Sequence, residues 1–343
     1  MGSQMSYIKH LDSVLSRAVT HKPLVLDLFA GCGGTALGFE AAGFETFGFE
    51  KNADCCATYR RNLQGDCIQT IITPDTEFPA ATVVIGGPPC QPFSVGGNQL
   101  GLQDVRDGFP AFIAAIAKIK PDIWLFENVR GLLYRNKWYL DQIIEALSSL
   151  GYLVETHLLN AVNYGVPQNR ERLVVVGHKG RFNLPKPLNY KVTVGESLGE
   201  LANAFNDTSR FLTASMDEYV AKYEKASFCK RPRDLHLEQP ARTLTCRNLA
   251  GATGDMMRLK LPDGRRRRLS IREAARLQSF PDWFEFKGTE TNCFNQIGNA
   301  VPPLFAFHLA TSIRAYLDSD YRVTNTEMKS LYQAANFENL TLW

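Results

Sequence analysis

A thiol held in a proline-stiffened turn can serve as a nucleophile, and Cys90 has that setting. The run Ile85-Gly86-Gly87-Pro88-Pro89-Cys90-Gln91-Pro92-Phe93-Ser94 ends a short apolar stretch with glycines that let the chain turn and prolines that fix φ and remove donors. The thiol is therefore expected in a stiff loop just past a strand, a place that often carries function. The alternative is a small buried hydrophobe. Glu127 ends a second apolar run, residues 123–126. A carboxyl against apolar groups is disfavoured in its charged form and keeps a proton to donate. Cysteine and protonated carboxyl on neighbouring strand ends form a coherent pair: the thiolate adds to an electron-poor carbon while the carboxyl protonates a ring nitrogen. Arg170 and Arg172 alternate, so on an extended segment both point the same way. One could hold a carbonyl oxygen and the other a phosphate or a neighbouring side chain, although pairing with surface carboxylates is equally open to them.

These groups need a scaffold that gathers strand ends. Residues 24–29 read as a buried strand, and Ala30-Gly31-Cys32-Gly33-Gly34 follows as a turn opening a helix toward Ala42. The same grammar returns at 46–49 ending at Glu50, at 82–85 ending at the Cys90 loop, at 123–126 ending at Glu127-Asn128, and at 173–177. Helix-like stretches intervene, with an amphipathic helix expected over 6–19 and further helices over 270–278 and 302–316. Alternating strands and helices imply a mostly parallel sheet, whose ligands lie beyond the carboxyl ends of its strands. The motifs thus converge on one edge and imply a pocket there. Gly31, Gly33 and Gly34 permit close backbone approach, and Glu50 is placed to accept from ribose hydroxyls. The spacing is not G-x-G-x-x-G, which disfavours a dinucleotide pyrophosphate and suits a compact nucleoside such as S-adenosylmethionine. Asp66 could accept from an adenine amino group or close an ordinary turn.

The chain has 343 residues, 45% of them hydrophobic, enough for one large domain and a smaller one. Its net charge is only +3, yet residues 225–272 hold thirteen Lys/Arg against four Asp/Glu, a net of +9. A basic stretch anchored by Lys230-Arg231-Pro232-Arg233 and residues 265–268 suggests a polyanion surface, with a solvated face or local ion pairs as the alternative. Eight cysteines show neither a CxxC framework nor zinc-ligand spacing, so no metal is expected. With no signal-peptide core and no apolar run near ~20 residues, a cytoplasmic protein with reduced thiols and no membrane contact is expected.

Taken in order, the motifs resemble the DNA (cytosine-5) methyltransferases of bacterial restriction-modification type. The carriers are Asp27-Leu-Phe-Ala-Gly-Cys-Gly-Gly34, Glu50, Asp66, Gly87-Pro-Pro-Cys-Gln-Pro-Phe-Ser94, Asp104-Val-Arg106, Glu127-Asn-Val129, Gln168-Asn-Arg-Glu-Arg172, Arg268-Leu-Ser-Ile-Arg-Glu-Ala-Ala-Arg-Leu-Gln-Ser-Phe-Pro281 and Gln296-Ile-Gly-Asn-Ala-Val-Pro-Pro303. The resemblance implies an α/β, Rossmann-like S-adenosylmethionine-dependent methyltransferase fold with a smaller, irregular target-recognition domain. It places the catalytic and cofactor-binding domain at 1–180, completed by 293–343, and target recognition at 181–292.

For the chemistry, the resemblance implies that Cys90 adds to cytosine C6 and that Glu127 protonates N3. Arg172 would contact O2, with Arg170 and Asn128 in support. Transfer to C5 would yield S-adenosylhomocysteine, and loss of the C5 proton would expel Cys90. Phe29, Gly31, Gly33, Gly34, Glu50, Asp66, Cys67, Pro89, Asn299 and Val301 are the implied cofactor residues. Ser94, Gly96, Arg106, Thr243 and Arg247 are the implied DNA contacts. The position after Glu50, often aromatic in relatives, is Lys51. The target base must be flipped from double-stranded DNA. No oligomerisation segment is evident, so a monomer is expected; it is expected to be nucleoid-associated, and the resemblance implies pairing in function with a cognate endonuclease without a stable complex. The competing enzyme is a tRNA cytosine-5 methyltransferase, whose Cys-Phe-Thr tripeptide is not matched by Cys293-Phe294-Asn295.

Overall fold

A computed structural model describes residues 6–16, 21–89, 107–229, 232–251 and 254–319. Seven strands form one sheet: β1 (His21–Leu28), β2 (Phe44–Glu50), β3 (Asp66–Gln69), β4 (Val83–Gly86), β5 (Ile123–Val129), β6 (Leu153–Asn160) and β7 (Glu171–His178). Their order is β3-β2-β1-β4-β5-β7-β6. The first five run parallel, and β7 is antiparallel to both β5 and β6.

The apolar runs have no polar alternation because both faces of the sheet are covered. Val25, Val83, Ile85, Ile123, Leu125, Val174 and Val176 share one cluster with Phe305, Leu309 and Ile313 of the helix Pro303–Asp318. Their sequence neighbours Leu26, Leu28, Val84, Trp124, Phe126, Leu173 and Val175 pack on the opposite face against Phe109, Phe112 and Ile116 of the helix Phe109–Ile119 and Tyr139, Leu140 and Ile143 of Lys137–Ser148. This is the period-2 side-chain alternation of a strand expressed as a three-layer sandwich. Helix Gly34–Ala41 lies so close to Pro303–Asp318 that a Cβ on Gly38 would come within 2.4 Å of the Phe307 nitrogen. The C-terminal helix therefore docks beside the first strand-turn-helix unit.

The third core cluster crosses the sequence boundary expected near residue 180. Ala36, Leu37, Cys56 and Tyr59 share it with Val194, Leu244, Leu259, Phe280 and Ile297. Residues 181–265 are also more regular than their sequence pattern suggests, holding the helix Ala214–Ala226 and the strand β8 (Arg258–Lys260), which forms a hairpin with β9 (Arg266–Arg268) just beyond. The helix escapes periodicity because Val220 is its one buried residue; ion pairs from Asp217 to Arg266 and Glu224 to Arg258 hold it instead. The basic excess is spent in the same way. Arg258 is fully buried between Glu224 and Asp234, Arg267 pairs with Glu273, and Arg265 pairs with Asp263 and lies over Phe205 and Phe211. Local ion pairing accounts for Arg265, Arg266 and Arg267, and Arg268 donates instead to Leu249 O and Ala250 O, each at 2.9 Å, so these four arginines are partnered within the chain rather than forming an open polyanion face.

Candidate active site

The strand order reverses between β1 and β4, the switch point where open α/β sheets bind ligands beyond their carboxyl ends. At the end of β1, Phe29 adopts φ 60°, a left-handed conformation that a bulky residue keeps only where the surroundings impose it. Ala30 N donates to Phe49 O at 3.1 Å, and Gly31 N, at φ 54°, donates to Glu50 Oε2 at 3.0 Å. Glu50 Oε1 accepts from Asn52 N at 2.8 Å, so this carboxylate ties the glycine turn to the end of β2. A Cβ on Gly31 would meet nothing within 4 Å, leaving open space above the turn. Gly33 caps the helix that Gly34 begins, and Val301 O sits where a Gly34 side chain would be, 2.5 Å from an ideal Cβ. Thus the C-terminal segment reaches the glycine turn. Asn299 ends the helix Glu290–Asn299, and its Oδ1 accepts from the Cys246 thiol at 2.9 Å.

Asp66 starts β3 and takes Arg60 Nε and Cys67 N on one oxygen, Oδ1, at 2.9 and 2.7 Å; the Cys67 amide first, then Arg60, hold its carboxyl below the usual range. Cys67 itself is buried, and burial pushes its thiol up. Asp27 was not singled out among the site residues from sequence. It is 2% exposed, its Oδ2 has no partner, and burial followed by Glu50's charge pushes its carboxyl up to about 8. Its position inside an apolar strand is the one available signal, a charged residue where only Val and Leu surround it.

Opposite this turn, β4 ends at Gly86, and Gly87-Pro88-Pro89 leads to Cys90. Pro88 O accepts from Asn128 Nδ2 at 3.0 Å, and Pro89 O accepts from Gly108 N at 3.0 Å. The proline pair is therefore clamped from two sides immediately before the cysteine. Cys90, Ser94, Gly96 and Arg106 lie outside the described residues.

Glu127 and Arg172 are brought together by register. Glu127 pairs with Val174 and Val129 with Arg172 across the antiparallel β5–β7 ladder, so Glu127 and Arg172 are diagonal neighbours on one face. Arg172 Nε lies 2.5 Å from Glu127 Oε1, both side chains being about one-eighth exposed at 12% and 14%. The contact is an ion pair without a directed hydrogen bond, since Oε1 has no aligned donor. The wall beside Glu127 is thus a guanidinium rather than the purely apolar surface expected. Arg172 Nη1 also donates to Glu171 O at 2.8 Å, which fixes its plane. Asn128 points the other way along the strand, toward Pro88.

Arg170 takes a different path from Arg172. It is 1% exposed; Nη1 donates to Leu244 O at 2.7 Å, and Nη2 donates to Gly298 O and Ala300 O, each at 3.0 Å. Burial, then the charge of Arg172, pushes its guanidinium well below its ordinary value. Buried Gln168 extends the junction, its Oε1 accepting from Leu244 N at 3.1 Å and its Nε2 donating to Leu277 O at 2.9 Å, while Gln278 Nε2 donates to Ile297 O and Ala300 O at 2.9 and 2.7 Å. Three segments, 168–172, 241–245 and 277–301, are locked together here. Thr243 Oγ1 donates to Asn169 O at 2.6 Å, and Arg247 is exposed on the helix Cys246–Ala250. Arg172, Thr243 and Arg233 line a cleft of about 850 Å³ between the β5–β7 edge and residues 232–245.

The arrangement offers a carboxylate–guanidinium pair and a clamped proline pair on one side of the switch point, and a glycine turn with a carboxylate on the other. Among the described residues no helix is long and apolar enough to cross a membrane. Residues 24–315 match the family of C-5 cytosine-specific DNA methylases. Type II methyltransferase M.AplI of Arthrospira platensis is 54% identical over 324 residues, covering 93% of this chain and 94% of that protein. M.NgoFVII of Neisseria gonorrhoeae is 33% identical, covering 90% and 91%. Among solved structures, a putative DNA modification methyltransferase from an Escherichia coli prophage superposes with TM-score 0.63 at 22% identity, covering 87% of this chain and all of that one. The Schizosaccharomyces pombe Dnmt2 methyltransferase gives 0.68 at 16%, also covering 87% and 100%. The relatives do not favour the tRNA alternative. With its Rossmann-like fold and a match running from β1 into the C-terminal helix, the chain belongs to the C-5 cytosine-specific DNA methylase family and is a DNA cytosine-5 methyltransferase.

Proposed function

We propose that the chain methylates C5 of a cytosine flipped out of double-stranded DNA, through a covalent bond between Cys90 and C6. The observation that carries this reading is the Glu127–Arg172 pair, 2.5 Å apart across β5 and β7, with β5 the strand beside the clamped prolines that lead to Cys90. Cytosine C5 is too weak a nucleophile to accept a methyl group unaided. Addition of the Cys90 thiolate at C6 pushes electrons toward C5. Glu127, a carboxylate while paired with Arg172, takes up a proton from solvent as Arg172 turns to the base. It delivers that proton to N3 against the charge that would otherwise build on the ring, and takes it back when the ring is restored. Arg172 is oriented by Glu127 and Glu171 O to meet the O2 carbonyl, and Arg170 holds the segment on which Arg172 is mounted. A base removes the C5 proton, and the C6–S bond breaks to release the thiolate.

The family and fold imply S-adenosylmethionine, and the residues suit it. The open space over Gly31, the Glu50 carboxylate on the same turn, and Val301 against Gly34 form a cradle without a phosphate-binding loop. Phe29, Gly33, Asp66, Cys67, Pro89 and Asn299 are its further proposed contacts. When bound, the cofactor supplies an electrophilic sulfonium methyl and leaves as S-adenosylhomocysteine. Flipping the base costs a few kcal/mol, offset by contacts in the cleft.

We assign residues 181–292 to target recognition, with Ser94, Gly96, Arg106, Thr243 and Arg247 contacting DNA. The similarity to Type II methyltransferases supports pairing in function with an endonuclease of the same specificity; a monomer acting near the nucleoid is our further proposal. The test is tritium transfer from labelled methyl donor to host-mapped target DNA. Cys90→Ser is expected to abolish transfer while duplex binding survives; full activity in that variant overturns the covalent route.

A further inference from the structure

Helix Ala214–Ala226 ends in a hydrogen-bonding pattern that normally demands glycine. Ser227 is its cap, Phe228 N donates to Lys225 O at 3.1 Å, and Cys229 N donates to Glu224 O at 3.0 Å, the paired bonds of a Schellman ending. The position after the cap must then be left-handed, and Phe228 has φ 51°. A side chain there costs stability that glycine would spare. Packing does not compensate, because Phe228 is 91% exposed, the most of any large apolar side chain among the described residues. Neither conformational preference nor burial explains this residue, and a strained, solvent-facing aromatic points to a binding role.

The mounting is rigid. Arg258 pairs with Glu224, Arg233 N donates to Glu224 Oε1 at 2.6 Å, the Arg233 guanidinium lies 5.2 Å from the Tyr223 ring centre, and Arg266 pairs with Asp217 at 3.0 Å. The same Arg233 lines the cleft beside Arg172, with Pro232 next to it. Exposed Lys222 and Lys225 lie on the last turns of the helix, where their charges offset the negative end of its dipole and favour an anionic partner.

We infer that Phe228 is an aromatic contact to the substrate duplex, stacking on a base or base step that is exposed when the DNA is seated in the cleft. This rests on the reading of the chain as acting on duplex DNA and adds a residue to it. Stacking tolerates any base, so Phe228 contributes to affinity and DNA deformation, while sequence is read elsewhere.

The experiment uses the full chain and its Phe228→Gly, Phe228→Ala and Phe228→Trp variants, with anisotropy of a fluorescein-labelled duplex carrying the methylation site mapped from plasmid DNA, and thermal unfolding alongside. Phe228→Gly is expected to raise Tm by about 1–2 °C while weakening duplex binding by roughly 5- to 150-fold. Phe228→Trp retains affinity. Opposite signs in stability and affinity exclude a purely structural role. Phe228→Gly with unchanged affinity overturns the inference, as does a loss confined to self-association or to capture of a protein partner. A wild-type chain that neither binds nor methylates any duplex removes the substrate class itself, a result visible before any substitution is made.

Discussion

Arg170→Met separates two roles that an Arg-x-Arg motif leaves open. In the structure the guanidinium donates to three carbonyls, of Leu244, Gly298 and Ala300, and is 1% exposed. Methionine fills similar volume and removes the charge, so the desolvation of a buried cation is recovered in part. Leu244 O and Gly298 O then lose their donor, while Ala300 O keeps Gln278 Nε2. At about 1 kcal/mol each, the low end of the usual range, a net loss of about 2 kcal/mol is expected. Urea unfolding measures it as a fall in midpoint at constant m. A contact to a DNA phosphate would instead appear in the salt dependence of binding, whose slope loses roughly one unit for each phosphate contact removed. Arg170→Met is therefore expected to lower the unfolding midpoint and leave the salt slope unchanged. An unaltered midpoint with a slope shallower by about one would refute the junction role.

Asn128→Ala removes the clamp on Pro88 O and is expected to lower kcat by about ten- to a hundredfold, the scale of a small misplacement of a reacting group, with duplex affinity within about twofold; an unchanged kcat in single-turnover assays contradicts the clamp. Asp27 governs a pH dependence of the cofactor-free protein. Its folded-state carboxyl sits at about 8 against an unfolded value near 4, so between these pH values the unfolded chain releases a proton that the folded chain retains, and stability falls as pH rises, levelling off above about 8. Between pH 5 and pH 8 the loss is at most about 4 kcal/mol, and Asp27→Asn is expected to abolish it; wild type and variant with parallel pH profiles in denaturant titrations would contradict the assignment.

Strands β1, β2, β4 and β5 and the edge that carries the site were legible because each holds an apolar run that leads into a glycine turn, a carboxylate or the proline–cysteine loop, whereas β3, Asp66-Cys-Ile-Gln69, is too short and polar to show such a run. Glu127 and Arg172 were legible as individuals, but their contact depends on β7 running antiparallel to β5, a long-range register that no local pattern encodes. Alternation put Arg170 and Arg172 on one side without showing that one ends in a buried junction and the other in the cleft. The arginines at 265–268 look like a polyanion surface until nearby Asp263 and Glu273, and Asp217 and Asp234 from distant segments, are seen to pair with the first three of them. Helix Ala214–Ala226 was hidden for the same reason: ion pairs hold it, and ion pairs leave no hydrophobic period.

The central claim is a covalent bond from Cys90 to the target cytosine. Duplex DNA carrying 5-fluorocytosine at the mapped site, incubated with the protein and methyl donor, tests it most directly, because fluorine at C5 cannot leave as a proton does and the thiol stays attached. A denaturant-stable protein–DNA adduct with wild type and none with Cys90→Ser is the predicted result. No adduct from wild type on a confirmed target, or an equal adduct from Cys90→Ser, would contradict it.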